Sequence, residues 1–214
     1  MKNALITGIS GQDGYFLAKN LLKKNYKVFG LVRRNSTSNY RRINFLKDNY
    51  PKLIKNLRII DGDLIDYASI QNALKVSKPD FVYNLAAQSE VGLSFIQPQY
   101  TFSVNYLGVL NFLEQIKINK VSCRFYQAST SEIFGNQILN KKGIKYINEN
   151  TRFHPESPYA NSKLASHYLI SNYRKAYNLH AVSGILFNHE SELRSPYFVT
   201  KKIISSLVKV KLGE

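Results

Sequence analysis

The sequence predicts an α/β protein built on a doubly wound parallel sheet. Short apolar segments that suit buried strands alternate along the chain with longer segments whose apolar residues recur at helical spacing. The first of these strands, residues 3–8, runs directly into a glycine-rich turn and then a helix. A strand, a turn of this kind and a helix are the context of a dinucleotide-binding fingerprint. Together, these observations predict a Rossmann fold.

Composition places the chain among ordinary globular proteins. It has 214 residues, of which 44% are apolar and 21% charged, enough for one substantial domain with a core. The single cysteine, Cys123, excludes an internal disulfide framework and a cysteine-based metal cluster, and we predict no metal site. No run approaches the roughly twenty apolar residues of a membrane span. The N-terminus also lacks a signal-peptide pattern, so we expect a cytoplasmic protein with no membrane partner.

The formal net charge of +16 raises nucleic-acid binding as one function class. The lysines, however, are scattered, with no basic helix and no arginine-rich tail, which is typical of a solvated surface. We therefore expect no nucleic-acid partner. A basic surface would also suit an anionic small ligand such as a nucleotide sugar.

The glycine-rich turn is the first candidate binding site. Its spacing is Gly-x-x-Gly-x-x-Gly, and its glycines let the backbone approach a pyrophosphate while the helix N-terminus offers free N–H groups. The residues that we assign to the cofactor here are Gly8, Ile9, Ser10, Gly11, Gln12, Asp13 and Gly14. The helix that follows carries an apolar face of Phe16, Leu17, Leu21 and Leu22.

The second predicted strand, residues 27–32, ends in Arg33 and Arg34. An acidic residue at this position would bind the ribose hydroxyls of NAD, whereas arginine accommodates the 2′-phosphate of NADP. No Asp or Glu occurs in residues 27–46. This favours NADP as the cofactor over the alternative of a merely solvated basic loop.

Strands and helices keep alternating through the middle of the chain. We predict a short helix near 42–48, a strand at 57–60, a helix at 66–77, a strand at 79–85 and a long core helix at 100–118. Asp63 could hold the adenine amino group or could be the N-cap of the helix after it. Ala86 and Ala87 are small enough for close approach to a cofactor, and Asn105 is a candidate water-holding residue.

The second half of the chain carries the candidate chemistry. A fifth strand leads to Ser129-Thr130-Ser131-Glu132, and hydroxyls and a carboxylate at a strand end suit an active-site crevice. The polar residues 135–156 are expected to form a substrate-side loop. A strand at 180–187 and a last helix at 197–211 complete the predicted order.

A helix predicted at 158–177 connects these parts. Ser157 is a good N-cap, and Pro158 fits the first helical position. The helix places Tyr159 and Lys163 four residues apart on one face. We expect the ammonium to lower the pKa of the phenol toward neutrality, which would make Tyr159 a general base.

With these landmarks placed, the chain resembles the extended short-chain dehydrogenase/reductase superfamily and, within it, the GDP-mannose 4,6-dehydratase family. The glycine-rich turn and Tyr-x-x-x-Lys indicate only the superfamily. Two segments are far more specific, RFYQASTSE at 124–132 and GILFNHES at 184–191. They separate this family from epimerases and reductases.

The resemblance implies a reaction and a role for each matching residue. Tyr159 would take the proton of the 4-hydroxyl while C4 gives its hydride to NADP⁺, with Lys163 holding the nicotinamide ribose. Thr130 would hydrogen-bond the 4-oxygen, and Glu132 would take the C5 proton and assist loss of the 6-hydroxyl as water. GDP-mannose would become GDP-4-keto-6-deoxymannose, a step toward deoxyhexose nucleotide sugars such as GDP-fucose.

The resemblance also extends the binding site beyond the glycine-rich turn. The implied cofactor residues are Arg33, Arg34, Asp63, Leu64, Leu85, Ala86, Ala87, Ser89, Tyr100, Tyr159, Lys163, His189 and Arg194. The implied substrate residues are Ser89, Thr130, Glu132 and Asn188. The resemblance also implies a homo-oligomer, a dimer or a tetramer as in the family.

The chain departs from the family's pattern in two places. After His189-Glu190-Ser191 the family usually continues Pro-Arg-Arg-Gly, a segment that reaches a neighbouring subunit's cofactor, whereas here Glu192-Leu193-Arg194-Ser195 follows. The family is also considerably longer and builds its nucleotide-sugar pocket from a C-terminal region. We expect an NADP-binding domain at 1–195 and the start of a truncated substrate-binding region at 196–214, in a fragment or a split gene product.

Three other functions remain open. The chain could be a dehydratase of another nucleotide sugar. It could be a 4-epimerase or reductase, although Glu132 would then have no obvious task. It could also be a non-catalytic NADP-binding module, which would bind the cofactor without turnover.

Overall fold

The structure is a computed structural model that describes residues 1–34 and 40–213. Residues 35–39 of the basic loop after the second strand lie outside the described residues. The strands are β1 Asn3–Thr7, β2 Lys27–Val32, β3 Leu57–Asp61, β4 Phe81–Asn84, β5 Arg124–Ala128, β6 Leu139–Lys141, β7 Ile144–Tyr146 and β8 Ala181–Gly184. The α-helices are α1 Gln12–Lys23, α2 Arg41–Asn49, α3 Tyr67–Ser77, α4 Val91–Ile96, α5 Pro98–Phe102, α6 Gly108–Ile118, α7 Pro158–Tyr177 and α8 Val199–Leu212.

Six strands form one parallel sheet in the order β3-β2-β1-β4-β5-β8. This confirms the predicted doubly wound Rossmann fold. The strand order reverses between β1 and β4, which opens a crevice outside their carboxyl ends, where ligands of such sheets bind. β6 and β7 form a separate antiparallel hairpin.

The sheet separates two apolar layers. One contains buried side chains of α3, α6 and α7, and the other contains buried side chains of α1 and α2. Strand β1 feeds both layers, because Leu5 belongs to the first while Ala4 and Ile6 belong to the second. This is the alternation that a strand covered on both faces requires.

Five local predictions need correction. The fourth and last sheet strands are shorter than the predicted 79–85 and 180–187. The long helix starts at Pro98 and contains a π-helical turn, Ser103–Leu107, between α5 and α6. The predicted loop 135–156 contains the β6–β7 hairpin. The N-cap of α3 is Asp66 rather than Asp63, since the Asp66 carboxylate accepts from the N–H groups of Ala68 and Ser69.

Helix α8 differs from the other long helices because none of its residues is buried. Its exposed apolar side chains are Val199, Ile203, Ile204, Leu207, Val208, Val210 and Leu212. No helix in the described part of the chain combines the length and the apolar composition that crossing a membrane requires.

Candidate active site

A crevice of about 1010 Å³ lies at the carboxyl ends of the central strands. The predicted site residues that line it are Gly8, Ser10, Gly11, Gln12, Asp13, Gly14, Arg33, Asp63, Leu64, Leu85, Ala86, Ala87, Ser89, Tyr100, Thr130, Glu132, Tyr159, Lys163, Asn188, His189 and Arg194. Two predicted residues do not line it. The side chain of Ile9 is buried against Gly30 beneath the turn, and Arg34 is exposed elsewhere.

The glycine-rich turn is packed too tightly for side chains. Gly8 has a φ of +68°, and a Cβ on it would lie 2.8 Å from the Ala86 nitrogen. A Cβ on Gly14 would lie 2.2 Å from the Gly8 carbonyl oxygen. Helix α1 then begins after Gly11, an N-cap without a capping side chain. The turn therefore offers its own backbone and the N-terminus of α1 to a ligand, an arrangement that fits a pyrophosphate.

Arg33 extends this site past the end of β2. Its guanidinium donates a hydrogen bond to the Tyr100 hydroxyl and lies 5.8 Å from the centroid of the Tyr100 ring. Both residues line the crevice. The contact joins two predicted cofactor residues that are 67 positions apart in the chain, and it places a cation on the crevice wall.

A buried polar ladder aligns the strand ends under the crevice. The Thr7 hydroxyl donates to the Asn84 side-chain oxygen at 2.6 Å, and the Asn84 amide donates to the Gln127 side-chain oxygen at 2.7 Å. The Thr7 hydroxyl also accepts from the backbone N–H of Ala86 at 3.0 Å. Thr7, Asn84 and Gln127 are not among the predicted site residues. The available signal was a polar residue near the end of each apolar strand.

Asn105 supports the neighbouring loop from the π-helical turn. Its side chain accepts from the N–H of Gln88 and donates to the carbonyl of the same residue, at 2.9 and 3.0 Å. It also donates to the Ser162 hydroxyl at 3.1 Å. Asn105 was predicted to hold a water, but its side chain hydrogen-bonds to protein groups instead. It connects Gln88 to α7, and the neighbouring residues Leu85, Ala86, Ala87 and Ser89 line the crevice.

Two N-caps determine where the predicted catalytic residues lie, one at the start of α7 and one after β5. The Ser157 hydroxyl accepts from the N–H of Ala160 at 3.0 Å and caps α7, with Pro158 in its first turn as predicted. This places Tyr159 in the first turn and Lys163 one turn later. On the β5 side, the Thr130 hydroxyl accepts from the N–H of Glu132 at 3.2 Å and caps a 3-10 helical turn.

These two capped turns bring the four predicted catalytic residues together. Thr130, Glu132, Tyr159 and Lys163 all line the same crevice. Thr130, Tyr159 and Lys163 are buried, whereas the Glu132 side chain is exposed. The wall thus combines a hydroxyl donor, a phenol, an ammonium and a solvent-facing carboxylate.

The structure corrects the expected direction of the Tyr159 pKa. Burial raises the pKa of the phenol, and hydrogen bonding with the Thr130 hydroxyl opposes this only in part. The Lys163 ammonium donates to the Ala128 carbonyl at 2.9 Å and lies 5.9 Å from the centroid of the Tyr159 ring. Burial also lowers the pKa of Lys163 to about 8. Sequence spacing predicted the neighbouring charge but not the burial of both groups.

The segment 186–195, which follows β8, also lines the crevice, and His189 connects it to Asp13 of the glycine-rich turn. One ring nitrogen contacts the Phe187 carbonyl at 2.6 Å, and the other contacts an Asp13 carboxylate oxygen at 2.8 Å. Both partners only accept hydrogen bonds, so the doubly protonated ring satisfies both contacts. The pKa of His189 is accordingly raised, chiefly by the hydrogen bond to Phe187.

Arg42 also lines the crevice and is not among the predicted site residues. Its guanidinium contacts backbone carbonyls of the glycine-rich turn and of the segment 186–195. Nothing in the sequence distinguishes it from the other basic residues around it. Among the described residues, no group of three or more His, Cys, Asp or Glu side chains is arranged to hold a metal ion.

Known proteins resemble the chain over nearly its whole length. A family model for GDP-mannose 4,6 dehydratase matches residues 5–214. The GDP-mannose 4,6 dehydratase of Cricetulus griseus is 47% identical over 219 residues, which cover 100% of this chain and 57% of that protein. GDP-mannose 4,6 dehydratase 1 of Arabidopsis thaliana is 46% identical over 219 residues, covering 99% and 58%.

Solved structures agree with this assignment at the level of the fold. The UDP-glucose 4-epimerase of Thermus thermophilus, crystallised as a complex with NAD, matches with a TM-score of 0.79 and 27% identity. The match covers 98% of this chain and 63% of that one. The chain spans little more than half the length of the curated relatives that it matches, 57% and 58% in these two cases. Over that length, the chain belongs to the GDP-mannose 4,6-dehydratase family.

Proposed function

We propose that this chain supplies the cofactor-binding and catalytic part of a GDP-mannose 4,6-dehydratase. The observation that carries the proposal is the meeting of Thr130, Glu132, Tyr159 and Lys163 in the same crevice as the glycine-rich turn. A simple alcohol dehydrogenase needs the phenol and the lysine but has no task for a carboxylate two residues beyond Thr130. An elimination of water does need one.

We infer that the crevice takes NADP. The tight glycine turn fits a pyrophosphate, and the homologous fold of the Thermus thermophilus epimerase was crystallised with NAD. Arg33 on the crevice wall, together with the absence of Asp and Glu from residues 27–46, favours a 2′-phosphate. When bound, the dinucleotide would accept the hydride of the sugar's C4 and later return it to C6.

The buried residues would assist the oxidation of C4, in which the dinucleotide is the oxidant. Tyr159 would take the proton of the 4-hydroxyl as the C4 hydride leaves, and Thr130 would donate a hydrogen bond to the 4-oxygen. Because burial raises its pKa, Tyr159 becomes a base only where its phenolate is stabilised. The Lys163 ammonium lies 5.9 Å from the centroid of the ring, so we assign it to this stabilisation and to the nicotinamide ribose.

The exposed carboxylate would then carry out the elimination. Glu132 would remove the C5 proton, which the new 4-ketone makes acidic, and would pass it to the departing 6-hydroxyl to form water. When the hydride is returned to C6, C5 takes up one proton. Tyr159 releases the proton that it took from the 4-hydroxyl, so no net proton is gained or lost. The product is GDP-4-keto-6-deoxymannose.

The remaining assignments follow from the same proposal. We propose residues 1–195 as the cofactor unit and 196–214, which include the uncovered helix α8, as the start of a substrate-binding region. Ser89 and Asn188 line the crevice and would meet the sugar. We further propose a homo-oligomer that acts in the cytoplasm.

The direct test is to incubate the purified chain with GDP-mannose and catalytic NADP⁺ and to analyse the nucleotide sugar by mass spectrometry. We expect a product that has lost one water. Glu132→Gln should abolish it, whereas Glu149→Gln, which neutralises an exposed carboxylate outside the crevice, should not. If Glu132→Gln forms the product at the wild-type rate, Glu132 does not carry out the elimination.

Two controls separate the alternatives. UDP-glucose and dTDP-glucose, assayed in parallel, show whether another nucleotide sugar is dehydrated instead. NADPH binding, followed by fluorescence, shows whether the cofactor site is formed. NADPH binding without turnover of any nucleotide sugar would contradict the dehydratase and favour a non-catalytic cofactor module.

A further inference from the structure

Arg42 connects two parts of the crevice that are far apart in the chain. One terminal nitrogen of its guanidinium donates to the Ser10 carbonyl at 2.9 Å. The other terminal nitrogen and Nε donate to the Leu193 carbonyl at 2.6 and 3.2 Å. Ser10 is 32 positions away, in the glycine-rich turn, and Leu193 is 151 positions away, in the segment 186–195.

The contact is a set of part-buried hydrogen bonds to backbone carbonyls. Burial is the main cause that lowers the pKa of Arg42, so its charge is partly withdrawn from water, and backbone carbonyls compensate it. Three N–H donors in one plane serve two acceptors, a geometry that the single ammonium of a lysine cannot reproduce. The Leu193 side chain also packs against the apolar layer that contains Ile43 and Leu46 of α2, so the segment is held at this point by two kinds of contact.

The same two segments meet again beside Arg42. The Ser191 hydroxyl donates to the Gln12 side-chain oxygen at 2.8 Å, and His189 contacts the Asp13 carboxylate. Both links run between the N-terminus of α1 and the segment 186–195. Arg42 differs from them because it comes from a third element, α2, and joins both segments through one rigid group.

We propose that Arg42 is a positioning residue for the dinucleotide site. By holding the segment 186–195 against the glycine-rich turn, it keeps His189 and Arg194 on the crevice wall, where both line the space beside the turn. Its donors are directed at the protein's own carbonyls, so it acts through the segment. This inference rests on the proposed function in one respect, namely that the crevice takes a dinucleotide.

The chain offers a matched control in the adjacent residue. Arg41 lies on the same helix and carries the same charge, but its side chain is exposed and does not line the crevice. Arg41→Gln therefore removes one charge from α2 without touching the connection. Arg42→Gln removes both the charge and the connection, whereas Arg42→Lys keeps the charge and most of the stem.

The connection is tested first in the cofactor-free chain by hydrogen exchange. We expect the backbone amides of residues 186–195 to exchange faster in Arg42→Lys and Arg42→Gln than in the wild type, and to be unchanged in Arg41→Gln. Circular dichroism confirms that each variant is folded. Unchanged exchange of this segment in both Arg42 variants would overturn the connection.

The effect on the site is tested by titrating NADPH and NADH into each variant. Losing hydrogen bonds from a charged donor should weaken binding about tenfold to a hundredfold. Because a displaced segment affects both cofactors, Arg42→Lys should weaken NADPH and NADH by the same factor. Weakening of NADPH alone would show direct contact with the 2′-phosphate and would overturn the positioning role. So would wild-type affinities in both Arg42 variants.

The two proposals fail in different ways. If the wild type binds neither dinucleotide, the cofactor assignment is wrong, and the positioning role for a dinucleotide site is lost with it. The hydrogen-exchange result still decides whether Arg42 holds the segment. If the wild type binds and the Arg42 variants bind equally well, the cofactor assignment stands and only the role of Arg42 is refuted.

Discussion

Helices α7 and α8 are both amphipathic in sequence, yet they occupy opposite extremes of packing. Helix α7 buries eight of its residues, among them Tyr159 and Lys163. Helix α8 buries none, and seven of its large apolar side chains are exposed. The same kind of residue spacing thus leads to a covered helix and an uncovered one. Periodicity predicts a helix and its apolar face, but it does not predict what covers that face.

The packing of α7 depends on polar groups as much as on apolar ones. The Ser166 hydroxyl donates to the Asn105 carbonyl, and the Ser162 hydroxyl accepts from the Asn105 side chain. Small hydroxyl residues let α7 approach the long helix closely and satisfy its polar groups there. Helix α8 begins after Phe198, an N-cap without a side-chain hydrogen bond. The proposed catalytic residues Tyr159 and Lys163 accordingly lie on the helix that has the more fixed position.

The largest expected effect is on catalysis at the start of α7. Tyr159→Phe removes only the phenolic hydroxyl and should lower the rate of GDP-mannose dehydration by a factor of about 10² to 10⁴, the usual contribution of a general base. NADPH binding should remain. Tyr168→Phe is the control, because Tyr168 is an exposed tyrosine of the same helix that does not line the crevice. Equal rates of dehydration in the two variants would show that Tyr159 is not the general base.

The next largest expected effect is on stability, and it should differ between substitutions in α7 and in α8. Ile170 is 1% exposed and Ile203 is 54% exposed. Ile170→Ala should therefore cost about 2–5 kcal/mol of unfolding free energy, as truncations in a core do, whereas Ile203→Ala should stay within about 0.5 kcal/mol. Urea denaturation measures both. A large cost for Ile203→Ala that depends on protein concentration would show that a second copy covers α8 in solution.

The sequence prediction was also more successful for the buried helix α7 than for an exposed element. The bounds of α7 are as predicted, because Ser157 and Pro158 mark its start and Asn178, with a φ of 53°, takes the left-handed conformation at its end. The β6–β7 hairpin was not predicted, since its strands are three residues long and mostly exposed. Gly143, with a φ of +80°, was the available signal for its turn.

In the site, motifs predicted which residues meet but not their environment. Tyr159 and Lys163 lie in one crevice as expected, but the predicted direction of the phenol's pKa was wrong because burial depends on the whole fold. The contact between Arg42 and Leu193 spans 151 positions, and short-range spacing carries no information on such a pair. The sequence therefore predicted the motif after β8 but not the contact with Arg42 that holds this segment.

Titration of Lys163 provides a third comparison of a buried site with an exposed one. Burial lowers its pKa from 10.5 to about 8, so between these values the unfolded chain holds a proton that the folded chain has released. Stability contributed by this group therefore rises with pH across that window. Relative to Lys163→Met, the wild type should gain about 3 kcal/mol between pH 7.5 and 10.5.

Urea denaturation at several pH values measures this gain as a difference between the two proteins, which cancels most other titrations. Lys209→Met removes an exposed lysine of α8 and tests whether burial is the cause. A flat difference between the wild type and Lys163→Met would mean that the Lys163 ammonium stays hydrated in solution. The catalytic wall would then be more open than α7 indicates.

The smallest expected effect concerns how α7 begins. Ser157→Ala deletes the hydroxyl that accepts from the N–H of Ala160 at 3.0 Å and should cost about 1 kcal/mol, the usual effect of losing an N-cap. Ser205→Ala makes the same chemical change in the middle of α8, at an exposed position, and should stay within about 0.5 kcal/mol. Urea midpoints distinguish the two. If Ser157→Ala also weakens NADPH binding while Ser205→Ala does not, the cap fixes Tyr159 as well as the helix, because Tyr159 lies in the turn that Ser157 closes. Equal costs for both variants would mean that tertiary packing alone determines where α7 starts.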